Sequence, residues 1–293
     1  MTVIERLGFA PEQRVVVVHV DDLGMCSAAN KGALGALAAS ATCGSVMVPC
    51  PAFEEIARIA QERPELDLGV HLTLNAEYES YRWGPVCDDV PGLGAPDGGM
   101  WRTTQETVAN ASVEEVEREL RAQIDRALEA GIDVTHLDSH MGTVFDLKFI
   151  ELYLNLARDY RLPVFIPRVR REVLAERGLL EGLERFVALL EAAESAGLPV
   201  FDHFDSNSLH FEPGSGAQHN QKRVEGLGSG LSYLITHCAH GGPELESITQ
   251  DWRQRDEERR IYSDGSMAAV LEQQGVRIIG MRPLRELYRE GPI

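Results

Sequence analysis

The segment VVVVHVDD at residues 15–22 decides the fold of this chain of 293 residues. Its first six residues form an almost continuous apolar, β-branched run, which is typical of a parallel strand that is buried on both faces. Two carboxylates follow directly, where that strand would end. Because parallel α/β barrels place their chemistry at the carboxyl ends of their strands, we expect Asp21 and Asp22 to lie at a functional rim.

Short β-branched runs alternate with amphipathic stretches along the rest of the chain. Further strands are predicted at 45–48, 68–74, 134–137, 164–166, 200–204, 231–235 and 276–279, and helices at 27–40, 53–63, 112–130, 147–159 and 171–196. Such alternation predicts parallel strands joined by right-handed crossovers. No linker-like change in composition divides the chain. We therefore predict an α/β fold in which residues 1–293 form a single distorted (β/α) barrel. This barrel is TIM-like and can have fewer than eight regular strands.

The regular pattern breaks in a loop insertion at about 75–107. Tyr78, Tyr81, Trp83 and Trp101 stand there among glycine, proline and aspartate residues. Loops of this length without regular structure are usually functional or disordered. Two interpretations of the aromatic loop stay open: a lid or wall for a substrate, or a hydrophobic flap that covers the barrel.

The charge and composition of the chain exclude several classes of partner. Twenty-eight basic residues against 46 acidic ones give a net charge of −18, which repels phosphate backbones and anionic lipid surfaces. We therefore expect no nucleic-acid partner and no membrane partner. The five cysteines contain no C-x-x-C pair, and the N-terminus lacks the pattern of a signal peptide, so we predict a cytoplasmic location.

Carboxylates and imidazoles follow four of the predicted strands. Asp21 and Asp22 end the first strand, His71 lies in the third, the DSH segment 138–140 follows the strand at 134–137, and His237 follows the strand at 231–235. One carboxylate and two imidazoles form a common ligand set for Zn²⁺ or another divalent metal, and they leave positions open for water and substrate. The second carboxylate of the pair is then free to accept a proton, which predicts hydrolysis by a water molecule that the metal activates.

Each of these elements also has a plainer interpretation. An aspartate pair before Gly24 is often only a turn and helix cap. A single histidine on a strand is usually a core or surface residue, and we interpret His19 in this way. We expect His136 to be buried as a support for the site, and we expect His240 to be a bystander of His237.

Three motifs resemble those of the YdjC-like carbohydrate deacetylases, a family that includes the chito-oligosaccharide deacetylases. They are the DDLG segment 21–24 after the valine-rich strand, the GVHL segment 69–72 and the THLDSH segment 135–140. The C-terminal part of the chain is also similar, from Trp252 and Arg255 to the segment 275–284. The order and spacing of the three motifs make the set specific, and the resemblance covers most of the chain.

The resemblance implies a fold, a reaction and a set of roles. It implies a distorted (β/α) barrel that removes N-acetyl groups from acetylated amino sugars or short chito-oligosaccharides with one divalent metal ion, Mg²⁺ or Zn²⁺ first and Mn²⁺ or Co²⁺ as alternatives. Asp22, His71 and His140 would bind this metal. Asp21 would be the general base and His237 the general acid.

The chain departs from the family pattern at three places near these residues. Leu23 stands where phenylalanine is usual in the family, which is a change in packing. Cys238 follows His237 where the family has proline, and the family often continues its DSH motif with x-H, where this chain has Met141 and Gly142. The missing imidazole concerns contacts with the substrate more than binding of the metal.

Three further residues are candidate substrate contacts: Asp138, Arg168 and Arg255. Either arginine could orient substrate hydroxyls or hold Asp21, and the alternative is a surface ion pair worth about 0 to 1 kcal/mol. A possible homodimer is compatible with the sequence.

Two other functions remain as alternatives. One is a metal-dependent sugar isomerase or phosphoesterase on the same barrel, for which this chain has few lysines, namely Lys31, Lys148 and Lys222. The other is a non-catalytic, metal-dependent sugar-binding protein, which would leave Asp21 and His237 without a role.

Overall fold

The computed structural model describes residues 1–176 and 182–291. In these residues one sheet contains seven strands. The strands are β1 (Arg14–Leu23), β2 (Cys43–Val46), β3 (Leu68–Leu72), β4 (Val134–Ser139), β5 (His203–Asp205), β6 (Gly230–Thr236) and β7 (Arg277–Ile278).

Every strand pair in the sheet is parallel, in the order β4-β3-β2-β1-β6-β5. The short strand β7 pairs with β1 at Val15 and Val16, and β2 pairs with β1 from His19 onward. Since all the strands are parallel, the carboxyl ends of β1, β3, β4 and β6 lie at one rim.

Irregular segments complete the sheet into a ring. The amide of Leu137 in β4 donates to the carbonyl of Pro163, the amide of Phe201 donates to the carbonyl of Ile166, and the amide of Asp202 donates to the carbonyl of Leu231 in β6. These bonds link β4 to β6 around the side opposite β1. The predicted α/β fold, a distorted barrel with fewer than eight regular strands, is confirmed.

Helices cover the outside of the sheet and close its ends. They are α1 (Val3–Arg6), α2 (Ser27–Leu37), α3 (Phe53–Glu62), α4 (Thr104–Asn110), α5 (Val113–Glu129), α6 (Ile150–Tyr160), α7 (Arg171–Glu176), α8 (Glu184–Ser195), α9 (Gly216–Glu225), α10 (Pro243–Ile248), α11 (Trp252–Ser263), α12 (Ser266–Gln273) and α13 (Met281–Glu290). The start of α5 is fixed by a capping box, in which Ser112 accepts from the Glu115 amide and Glu115 accepts from the Ser112 amide.

Three predicted elements differ from the observed ones. Residues 164–166 form no regular strand, because Pro163 and Pro167 lack the N–H groups that a continuous ladder needs. Val164 contributes one bridge, to Leu137, and the adjacent Pro167 contributes another, to Phe201. The helix predicted over 171–196 is represented by α7 and α8 with a turn at 182–183 before α8, and residues 177–181 of that prediction lie outside the described residues. The aromatic loop is shorter than predicted, because α4 begins at Thr104.

Side chains on the two faces of β1 pack into different parts of the core. Val16, Val18 and Val20 pack with apolar side chains of the surrounding helices. Val15 and Val17 pack with Phe165, Phe201 and Tyr233, which fill the inside of the ring. Because side chains alternate along a strand, His19 follows Val15 and Val17 into the barrel interior.

No helix in the described parts of the chain has both the length and the apolar content that crossing a membrane requires.

Candidate metal and catalytic site

The backbone at the end of β1 brings both adjacent aspartates to the same site. The pairing of β1 with β2 shifts register between Val20 and Leu23, and Asp22 has a positive φ of 68°. Aspartate tolerates this left-handed region better than most side chains do. In a regular strand Asp21 and Asp22 would point to opposite faces, whereas here both lie at the rim.

Asp22, His71 and His140 converge on one point. Asp22 Oδ1 lies 3.6 Å from His71 Nε2 and 3.5 Å from His140 Nδ1, and the three side chains are buried. Among the described residues this carboxylate oxygen has no hydrogen-bond partner, although it is inaccessible to solvent. A buried oxygen without a partner, facing two imidazole nitrogens, fits a divalent cation. The candidate ligand atoms lie within 4.8 Å of one another.

The outer nitrogen of each imidazole is held by a carboxylate. His71 Nδ1 lies 2.8 Å from Asp138 Oδ1, and His140 Nε2 lies 2.9 Å from Glu77 Oε2. An ionised carboxylate accepts only, so each of these ring nitrogens carries the hydrogen. In the neutral rings that a metal would bind, the lone pairs of His71 Nε2 and His140 Nδ1 would then face Asp22. This arrangement is typical of histidines that bind a metal.

The electrostatics of these groups favour a positive charge between them. Burial lowers the pKa of His71, but Asp138 and Asp21 outweigh it, so the pKa lies well above the ordinary value. Burial likewise opposes protonation of His140, yet Glu77 and Asp22 raise its pKa to about 9. Burial would raise the pKa of Asp22, but the neighbouring imidazoles hold it well below the ordinary value. The same carboxylates would stabilise a metal cation in place of these protons.

Arg255 binds the other oxygen of Asp22. Its Nη1 donates to Asp22 Oδ2 over 2.7 Å, its Nε donates to Asp251 over 2.8 Å, and its Nη2 donates to the hydroxyl of Tyr78 over 3.2 Å. The sequence left a substrate contact, a contact with Asp21 or a surface ion pair open for Arg255, and in the structure its partners are Asp22 and Asp251. The cause is the positive φ of Asp22, which turns that carboxylate toward α11.

Asp21 lies between the candidate ligands and His237. Its Oδ2 is 3.8 Å from His71 Nε2 and 3.7 Å from His237 Nε2. Its Oδ1 lies 2.7 Å from Nδ1 of the buried His19. His19 therefore fixes Asp21 Oδ1, and Asp21 Oδ2 faces the open side of the site.

A chain of polar groups orients His237. Its Nδ1 lies 3.0 Å from Ser208 Oγ, which in turn donates to Glu258 Oε2 over 2.7 Å. Glu258 also accepts from the backbone amide of His237 over 2.8 Å, and its other oxygen faces Arg223 at 3.3 Å. Since the serine proton goes to the carboxylate, Ser208 accepts from His237 Nδ1. His237 Nε2 is then directed toward Asp21.

A cavity of about 510 Å³ opens beside Asp21 and His237. This volume is in the range of small-molecule sites, which span roughly 300–1,000 Å³. Asp21, Asp138, Ser139 and His237 line one side of the cavity. Carbon-rich side chains line the other side: Met141, Phe145, Phe165, Phe204, Tyr233 and Ile235. The reactive groups thus border a space with a mostly apolar far wall.

The aromatic loop packs behind the candidate ligands. Tyr78, Tyr81 and Trp83 form a cluster with Trp252 and with other apolar side chains such as Met25. The Trp83 ring lies 6.2 Å from the His140 ring. None of these aromatic residues lines the described cavity. The arrangement therefore favours the hydrophobic flap over the substrate wall.

The other two candidate substrate contacts have protein partners in the structure. Asp138 is buried and accepts from Ser45 Oγ over 2.9 Å as well as from His71, although it also borders the cavity. Arg168 pairs with Glu194 at 2.6 Å and with Asp202 at 2.7 Å. Arg168 therefore forms ion pairs, the interpretation that the sequence left open beside a substrate contact.

Several residues of the site could not be assigned to it from the sequence. Glu77 lies in an irregular loop, His19 lies in an apolar run, and Ser208 and Glu258 lie in polar stretches that are typical of solvated surface. His19 shares the alternation of Val15 and Val17, and this was the one signal that could have placed it with Asp21.

Comparisons with known proteins place the chain in a family. The family model described as YdjC-like protein matches residues 15–273. A carbohydrate deacetylase of Thermus thermophilus is 33% identical over 278 residues, which cover 92% of this chain and 94% of that protein. A carbohydrate deacetylase of Brevibacillus brevis is 37% identical over 154 residues, which cover 52% of this chain and 59% of that protein.

A solved structure from Enterococcus faecalis has a similar fold. It is described as that of a candidate cellobiose-phosphate cleavage protein, and its TM-score to this chain is 0.74 at 22% identity. The match covers 93% of this chain and 99% of that chain. At this identity the likeness concerns the fold alone.

Proposed function

This chain belongs to the YdjC-like family, as its motifs predicted, and from that premise we propose that it is a carbohydrate deacetylase. It hydrolyses the amide C–N bond of acetylated amino sugars or short chito-oligosaccharides and releases acetate. The observation that carries the proposal is the position of Asp21 Oδ2, which lies 3.8 Å from a candidate metal ligand and 3.7 Å from His237 Nε2. A proton acceptor and a proton donor thus stand beside one candidate metal centre.

Asp22, His71 and His140 would hold one divalent cation. When bound, such a cation polarises the amide carbonyl and lowers the pKa of a coordinated water molecule toward roughly 7. A ligand set of one carboxylate and two imidazoles suits Zn²⁺, and Mg²⁺, Mn²⁺ or Co²⁺ can take the same position when the geometry is open.

Asp21 and His237 move the protons of the reaction. Asp21 Oδ2 accepts the proton of the water molecule that attacks the acetyl carbon. His237, with Nδ1–H held by Ser208 and a second proton on Nε2, donates the Nε2 proton to the amine nitrogen as the C–N bond breaks and is left as the neutral imidazole. The products are acetate and the free amino sugar. Without protonation the amine would be a poor leaving group.

The cavity beside these two residues is the proposed sugar site. Its apolar far wall can contact the carbon face of a sugar ring, while Asp138 and Ser139 offer polar atoms near the reacting end. The net charge of −18 leaves neutral acetylated sugars as compatible substrates. We propose that the whole chain, 1–293, forms one deacetylase domain, because the site draws its residues from β1, β3, β4 and the end of β6. We also propose a cytoplasmic location.

Acetate release tests the proposal directly. The purified protein is incubated with N-acetylglucosamine and its β-1,4 oligomers, with and without a chelator, and acetate is measured by an enzyme-coupled assay. We expect chelator-sensitive release from at least one of these substrates. We also expect Asp21→Asn to retain its metal and to lose activity by about 10²-fold or more.

Other outcomes of the same assay separate the alternatives. Sugar isomerisation, or release of phosphate from a sugar phosphate, with no acetate would support the rival enzymes. Metal-dependent binding of the oligomers without any turnover would support a sugar-binding protein. Full activity of Asp21→Asn with its metal bound would remove the proposed base.

A further inference from the structure

We propose that His19 is a positioning residue, which fixes the catalytic carboxylate of Asp21 from inside the barrel. The inference rests on the proposed function, because it assigns His19 a task only if Asp21 is the base. His19 lies within the apolar run of β1, where a core histidine was the expected interpretation.

The contact between the two residues is short and shielded from water. His19 Nδ1 lies 2.7 Å from Asp21 Oδ1, and the His19 side chain is fully buried. Residues two apart on a strand face the same side, so this pairing follows from the local backbone. The His19 ring also stacks on Tyr233, with ring centroids 4.9 Å apart at 27°. The imidazole is thereby fixed in plane as well as in position.

A second buried imidazole holds the opposite side of the His19 ring. His19 Nε2 lies 2.9 Å from His136 Nε2, and His136 Nδ1 lies 2.9 Å from Thr135 Oγ1. The same Nε2 lies 3.5 Å from Asp138 Oδ2. Because an ionised carboxylate only accepts, His19 Nδ1 carries the hydrogen of its contact with Asp21 and donates it.

The strand behind His136 is shaped for this pair of rings. A Cβ added to Gly69 of β3 would lie 2.6 Å from both Cε1 and Nε2 of His136. Only glycine lets the ring lie this close to the β3 backbone. Burial and the adjacent His19 also lower the pKa of His136 to about 3, which keeps this ring neutral. The glycine of the GVHL motif thus makes room for the support of Asp21.

The consequence is a carboxylate with one fixed oxygen and one working oxygen. The His19 bond prevents the Asp21 carboxylate from rotating, so Oδ2 remains between His71 and His237. Displacement of a reacting group by about 1 Å can reduce a rate by roughly 10²-fold. Loss of the bond should therefore reduce kcat and leave substrate affinity unchanged.

Two substitutions separate the two contacts of His19. In His19→Asn, the amide nitrogen lies the same number of bonds from Cβ as Nδ1 does, so it can donate to Asp21 but cannot reach His136. In His19→Gln, the amide reaches the position of Nε2, so it can bind His136 but cannot donate to Asp21. The two variants are thus matched controls for each other.

We measure kcat, KM, metal content and thermal unfolding for both variants and for Asp21→Asn, with acetate release from the best substrate. We expect His19→Gln to lose about 10²-fold in kcat with unchanged KM and metal content, and His19→Asn to stay within about tenfold of the unsubstituted protein. Rescue by asparagine identifies the donated hydrogen bond as the cause, since a general packing defect would harm both variants.

The other results overturn the inference or the proposed function separately. Two results would show that the role of His19 is wrong while Asp21 remains the base, each with Asp21→Asn inactive. In the first, His19→Gln retains full kcat; in the second, both folded His19 variants lose kcat equally. If Asp21→Asn is fully active with its metal bound, the proposed function itself fails.

Discussion

Replacement of Glu77 tests whether the loop behind His140 prepares the candidate metal site. Glu77 Oε2 lies 2.9 Å from His140 Nε2, and the imidazole is buried. Glu77→Gln keeps a hydrogen-bond acceptor for His140 but removes the negative charge. Glu77→Ala removes both. The comparison therefore separates the orientation of the imidazole from its electrostatic support.

The expected loss follows from the role of such outer carboxylates. Removing the partner of a metal-binding histidine costs about 10- to 100-fold in metal affinity, which corresponds to about 1.4–2.7 kcal/mol. We expect Glu77→Gln near the lower limit and Glu77→Ala near the upper one. Activity of both variants should return toward that of the unsubstituted protein at saturating metal, because neither variant changes Asp21 or His237.

Calorimetric titration of metal-free protein with Zn²⁺ measures the affinity, and acetate release at increasing Zn²⁺ measures the recovery. Glu79→Gln is the matched control, since Glu79 is exposed two residues away in the same loop. Zn²⁺ affinity of Glu77→Ala equal to that of this control would refute the reasoning.

Three further predictions concern the cavity and the barrel interior. Phe204 lines the cavity and is 51% exposed, so Phe204→Ala should raise KM with little loss of thermal stability, whereas Leu128→Ala, at 43% exposure on α5, should change neither. Gly69→Ala should destabilise the fold by about 1–3 kcal/mol in urea unfolding, and Gly94→Ala, whose Cβ would make only an ordinary 3.6 Å contact, should not. Because the pKa of His136 is about 3 in the folded chain against an ordinary value of 6.5, unfolded His136 binds a proton first as the pH falls below 6.5. Its contribution to stability should therefore decrease between pH 6 and pH 4, and the slope of the unfolding free energy against pH in that interval should be smaller in His136→Asn by up to about 1.4 kcal/mol per pH unit.

The sequence predicted the fold well where one physical signal acted alone. The apolar run of β1 and the capped helix α5 were both visible, because burial on two faces and capping are local properties. The segment 164–166 carried the same β-branched signal, but its flanking prolines limited it to one bridge, at Val164. A barrel completed by irregular segments cannot be distinguished by periodicity from one completed by regular strands.

The candidate site was predictable to the extent that its residues follow strands. His71 and His140 could be grouped with the aspartates, because parallel strands end at a common rim. The partner of Arg255 was not predictable, since it depends on the positive φ of Asp22. Glu77 was hidden for a different reason: it lies in an irregular loop, so no strand end indicates its position.

The central claim is that Asp22, His71 and His140 hold a divalent cation on which hydrolysis of an acetylated amino sugar depends. The most direct measurement titrates Zn²⁺ into the metal-free protein while acetate release from di-N-acetylchitobiose is recorded, for the unsubstituted chain and for Asp22→Ala. We expect activity to rise to a plateau at one equivalent of metal per chain, and we expect Asp22→Ala to show neither stoichiometric binding nor acetate release. Acetate release that persists unchanged in metal-free protein, or in folded Asp22→Ala, would contradict it.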